Sequence, residues 1–115
     1  MPESPLFIKT YDWVKWLIPQ TTKFPREQRF VLAKRVQESA FKFYDVIVRA
    51  GLAAEREQKL TWLNEADVAL HTLRLNVRLC KDLELMQDNS YAYAVRQLAE
   101  IGKLLGGWRK TFKAA

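Results

Sequence analysis

The chain has 115 residues and a formal net charge of +6, with 49% hydrophobic and 28% charged residues. That length supports one core rather than two, and the balance excludes a disordered polyelectrolyte. Cys80 is the only cysteine, which excludes an internal disulfide and a cysteine zinc site. No apolar run reaches the ~18 residues that a membrane span needs, and no basic region followed by an apolar run opens the chain. No membrane contact and a cytoplasmic location are therefore expected.

Four helices are predicted in chain order, and no strand. Ser4-Pro5 opens the first, with serine suited to the N-cap and proline to the first helical position. Phe7, Tyr11, Val14 and Ile18 recur at helical spacing and predict its buried face, and Pro19 should kink or end it. The second helix begins near Pro25 and runs to Gly51, a glycine stop. Its inward stripe reads Ala33, Val36, Ala40, Phe43 and Ile47, against an outer face of Lys34, Glu38, Lys42, Asp45 and Arg49.

The third helix covers roughly residues 55–86, with Leu60, Leu63, Ala66, Leu70, Leu73, Val77 and Cys80 as its core stripe. On that stripe Cys80 reads as a small buried hydrophobe. Gln87-Asp88-Asn89-Ser90 breaks the pattern, Ser90 can cap the fourth helix, and that helix runs to about Phe112. Short connections make neighbouring helices antiparallel. The expected fold is an all-α, up-down-up-down four-helix bundle forming a single domain over residues 1–115.

Basic residues are ordered along two of these helices. His71, Arg74, Arg78 and Lys81 are spaced three, four and three apart, a ridge beside the third stripe. Arg96, Lys103 and Lys110 recur every seven residues beside Leu98, Ile101, Leu105 and Trp108. Residues 90–115 carry five basic groups against one acidic. Such rows point to a polyanion, and the nucleic-acid candidates are Arg74, Arg78, Lys81, Arg96, Lys103 and Lys110. The competing reading is a solvated surface in which Arg74 pairs with Asp67 or Glu38, and Arg78 with Asp82.

Enzymatic chemistry finds no support. His71 is the sole histidine and reads as a hydrogen-bonded structural residue. Glu65, Asp67 and His71 do not supply the paired Glu-x-x-His motifs of a di-metal bundle, so neither a metal nor a cofactor is expected. Gly102, Gly106 and Gly107 follow no strand and precede no Lys-Ser or Lys-Thr, so they are not a phosphate loop. Gly102 and Gly106, four apart, predict close approach of a neighbouring helix. Apolar residues off the main stripes (Trp13, Trp16, Leu17, Phe41, Tyr44, Leu75, Leu79 and Leu83) exceed what one bundle can bury, and suggest a subunit interface.

Three stretches carry a resemblance: Lys23-Phe24-Pro25-Arg26-Glu27-Gln28-Arg29-Phe30, the leucine-rich basic segment from Leu73 to Leu83, and Glu100-Ile101-Gly102-Lys103-Leu104-Leu105-Gly106-Gly107-Trp108. Over essentially the whole length the chain resembles the accessory variability determinant (Avd) proteins of diversity-generating retroelements. The Phe-Pro-x-x-x-x-Phe opening also occurs in the four-helix proteins encoded within 23S ribosomal RNA intervening sequences. That family has an Asn-rich segment ending in Glu-Gly after its second helix, where this chain has Val46-Ile47-Val48-Arg49-Ala50-Gly51. The retroelement resemblance implies a non-enzymatic bundle assembling as a pentameric barrel. It implies as partners the retroelement's reverse transcriptase and nucleic acid, meaning template-repeat RNA and cDNA. The alternatives are the intervening-sequence type and a scaffold that binds only protein.

Overall fold

The computed structural model describes residues 4–113, and every regular element within them is helical. Helix α1 spans Pro5–Thr22. A second helical run, α2, covers residues 26–52 in three parts: an α-turn at Arg26–Gln28, a π-helical stretch at Arg29–Ala33 and an α-helix over Lys34–Leu52. Helix α3 spans Arg56–Asp82, and α4 spans Asp88–Lys113.

The helices form a ring in which α1 packs on α2 and α4, and α3 packs on the same two. Cross-helix contacts give the directions. Trp16 meets Tyr93 while Phe7 meets Trp108, so α1 and α4 run oppositely. Asn76 bonds Ser39 while Arg49 lies over Trp62, which orients α2 against α3. Lys81 meets Tyr91 while Arg109 bonds Asn64, which does the same for α3 and α4. The result is an antiparallel four-helix bundle with extents of 47 × 23 × 23 Å.

The stripes predicted for α2 and α3 are buried, with Leu60 only half-buried at its end. In α1 the buried face is rotated from the expected one. Leu6, Phe7, Thr10, Trp13, Leu17 and Thr21 face inward, while Tyr11 is 59% exposed and Val14 and Ile18 are half-buried. Both sets satisfy a helical repeat; the larger one, with Trp13 donating its indole N–H to the Ala94 carbonyl at 3.3 Å, wins the core. Trp13 and Leu17 are thus core residues rather than surplus surface.

Three helix ends differ from expectation. Pro19 neither ends nor breaks α1, which continues to Thr22. It lies on the exposed side, and the hydroxyls of Thr21 and Thr22 donate to the carbonyls of Leu17, Ile18 and Pro19. Gly51 is not a left-handed stop but a helical residue, and the following Ala53 is extended. Lys59 from α3 instead donates to the Ala50 and Gly51 carbonyls at 3.2 and 3.1 Å. Helix α3 stops at Asp82 because Glu84 adopts φ 61°. The Leu85 N–H then bonds the Cys80 carbonyl and the Glu84 N–H bonds the Lys81 carbonyl, a Schellman turn built without glycine.

Ser4 and Ser90 hold positions near helix starts but not the expected roles. Ser4 is the N-cap residue before Pro5, yet its side chain makes no capping bond. Ser90 lies inside the first turn of α4 and reaches across to Gln20 on α1 at 3.4 Å. No helix among the described residues is long and apolar enough to cross a membrane.

Candidate nucleic-acid interface

The α3 ridge follows one edge of the seam between α3 and α4, and its members sit in different surroundings. Arg74 is half-buried, and its guanidinium reaches across to α4, where Nη2 donates to the Leu98 carbonyl at 3.4 Å. Arg78 is exposed, with Nε 3.1 Å from both Asp82 oxygens. That carboxylate, with a smaller contribution from Tyr91, raises the guanidinium's pKa. Lys81 sits 4.8 Å from the Tyr91 ring centroid.

Arg74 pairs with neither of the carboxylates suggested for it. Asp67 is held by Arg109 at 3.6 Å and lies 3.8 Å from His71, and Glu38 faces Lys34 at 3.9 Å. The Arg78–Asp82 pair does form, but both partners are exposed, so it contributes little to stability. His71 is exposed and lines the groove, with Asp67 at 3.8 Å rather than at hydrogen-bond distance, so the hydrogen-bonded structural role expected of it is not found.

On α4, Arg96, Lys103 and Lys110 are all exposed, as the heptad spacing predicts. Arg96 lies 5.9 Å from the Tyr93 ring centroid, and Lys103 is 4.0 Å from Glu100. By the 3.6-residue repeat, Val95, Ala99, Gly102 and Gly106 fall between this row and α3. The two basic rows therefore do not merge into one cluster. A groove of about 470 Å³ between α3 and α4 is walled in part by Arg74, Leu75, Arg78, Tyr91, Val95 and Leu98, so it takes arginines from the α3 row and no residue of the α4 row.

The glycines divide by role. A β-carbon on Gly102 would collide with the Arg74 guanidinium and touch Leu70, so what comes close there is side chain rather than the backbone of a neighbouring helix. At Gly106 and Gly107 a β-carbon would meet nothing within 4 Å, so the close packing expected of Gly106 is not found within the bundle. Two contributors are not apparent from the spacing of the basic rows. Arg109, one position before the heptad lysine, bridges Asp67 and Asn64 across the α3–α4 seam. Tyr91 stands at one end of the groove, and its place four residues before Val95 is the signal that puts it there.

The surplus apolar surface is reduced but real. Phe30, Val31, Phe41, Val68, Leu75, Leu79 and Leu83 are exposed, and Phe41 with Tyr11, Val14 and Tyr44 lines a second groove between α1 and α2.

The bAvd-like family matches residues 6–112, all four helices and both basic rows. The chain belongs to the bAvd-like family. This is the accessory variability determinant group that the Phe-Pro and Gly-Gly-Trp segments resemble. No curated protein matches the chain. Membership places Ile101–Trp108, with Gly102 beneath Arg74, inside the matched region.

Proposed function

We propose that this bAvd-like chain is a non-enzymatic accessory protein of a diversity-generating retroelement. It holds template-repeat RNA, and the cDNA made from it, against the element's reverse transcriptase. The observation carrying this reading is the α3 row, with Arg74 and Arg78 lining one groove and Lys81 one turn on, beside a second exposed row, Arg96–Lys103–Lys110, on the adjacent helix. Phosphates bound there would release counterions, giving affinity that falls with salt.

The assembly we propose is pentameric, as in the family resemblance. Support comes from two dissimilar apolar surfaces: a ridge of Val68, Leu75 and Leu79 on α3, and the α1–α2 groove around Tyr11 and Phe41. A ridge on one copy and a groove on the next make a head-to-tail contact, the kind that closes into rings.

The test is RNA binding over a salt series. Arg74→Gln with Arg78→Gln should weaken binding and lower the slope of log affinity against log salt by about one for each phosphate no longer neutralised. Arg26→Gln with Arg29→Gln is the charge-matched comparison. Equal binding by both double variants would move the contact to Arg96, Lys103 and Lys110. A salt-independent affinity, or none, would overturn the reading in favour of a scaffold that binds only protein.

A further inference from the structure

The groove beside the α3 basic row is not built like a surface for phosphates alone. Its floor is apolar, made by Val77 and Leu98 from opposite helices, with Leu75 59% and Val95 43% exposed at its margins. Tyr91 closes one end, next to Lys81. A duplex presents its phosphates outward and keeps its bases stacked and paired, so it could use the lips but not the floor. An unpaired base has an apolar face, and its flanking phosphates project to either side. A volume of about 470 Å³ is within the range of clefts that hold small planar ligands.

We propose that the α3–α4 groove seats an unpaired base of single-stranded RNA, its ring on the Val77–Leu98 floor and its phosphates on Arg74 and Arg78. This rests on the nucleic-acid function proposed for the chain and refines it from polyanion binding to recognition of unpaired strand. Charge complementarity selects this occupant over an apolar helix. Three of the lining side chains are His71, Arg74 and Arg78, and the carboxylate nearest Arg78 is engaged at Nε, on the inner edge of a guanidinium whose side chain is 63% exposed. Asp82 thereby orients Arg78 while the terminal nitrogens stay available to a phosphate. Because the floor reads shape and stacking rather than base edges, selectivity would be for strandedness more than sequence.

The experiment uses the full chain and three probes of equal length in fluorescence anisotropy: oligouridine, its duplex with oligoadenosine, and an abasic strand with the same phosphate count. Wild-type protein should bind oligouridine about tenfold more tightly than either other probe, the lower end of what one base stacked on an aromatic ring such as Tyr91 contributes. Ala99→Phe, at an exposed helical position lining the groove, fills it without altering charge. It should remove that preference and leave duplex binding and the salt slope unchanged. Tyr91→Phe should keep the preference and Tyr91→Ala should lose it.

Equal affinity for oligouridine and the abasic strand would overturn the proposal while leaving phosphate binding, and so the proposed function, in place. That comparison needs no variant and cannot be confused with misfolding. Binding of no probe would remove both. A change of mass in light scattering on Ala99→Phe, with strand preference intact, would assign the groove to a second copy of the chain and overturn it.

Discussion

The Arg74 guanidinium occupies the space that a β-carbon on Gly102 would need, so an arginine on α3 and a glycine on α4 define each other's position. The atom met is the tip of a flexible side chain rather than backbone, so a methyl group there displaces the arginine without parting the helices. Gly102→Ala should keep or slightly raise the melting temperature, since alanine is favoured over glycine by about 1 kcal/mol in a helix. It should also weaken RNA binding about as much as Arg74→Gln. A melting temperature several degrees lower would mean that the arginine cannot move aside.

Gly106→Ala is the partner experiment. With nothing within 4 Å of the added methyl, the propensity gain of about 1 kcal/mol should appear in full, several degrees in a domain of this size. RNA binding should not change. Destabilisation on thermal melting would show that the space above Gly106 is covered by another subunit in the assembled protein.

Glu84 holds the left-handed position of the α3–α4 turn, where a side chain costs about 1–2 kcal/mol. Glu84→Gly should relieve this and, after glycine's own entropy cost, stabilise the bundle by about 0.5–1 kcal/mol. Glu84→Val should destabilise it, because a branched β-carbon fits that region worst. Urea midpoints of the two variants should move to opposite sides of wild type.

Cys80 is fully buried and unpaired, and desolvation pushes its thiol up from 9.0 to about 11. In the folded chain it should resist thiol reagents at neutral pH and react only after denaturation. Its raised value favours the protonated, folded form. The corresponding stability is fully present below pH 9 and declines as pH rises from about 9 to about 11, by about 1.4 kcal/mol per pH unit. Cys80→Ala should flatten that alkaline decline in denaturant melts.

Head-to-tail assembly makes a mixing prediction. Phe41→Glu spoils the α1–α2 groove, and Leu75→Glu with Leu79→Glu spoils the α3 ridge. Each variant alone should be monomeric by light scattering. Mixed together they should form a heterodimer, because each retains the face the other lacks. A like-with-like interface would instead survive one of the two changes and give no new species on mixing.

Much of this protein was determined by sequence alone. The repeats of α2 and α3, from Ala33 to Ile47 and from Leu63 to Cys80, contain enough apolar residues at one spacing to leave a single inward face. The basic rows on α3 and α4 follow from the same periodicity, and the family is legible in segments contiguous in the chain. What only the tertiary structure decided are the outcomes of competition between elements. Helix α1 carried two apolar faces of equal spacing, and the one buried is the one whose Trp13 and Leu17 fill the core, with the Trp13 indole bonded to Ala94, 81 positions away. Lys59 capping the Gly51 carbonyl, and Arg109 rather than Arg74 taking Asp67, likewise depend on which helix lies alongside. The groove beside Arg74 and Arg78 belongs to this second kind. Helical periodicity places a charge on a face, but only the packing of α3 against α4 places two faces across an apolar floor.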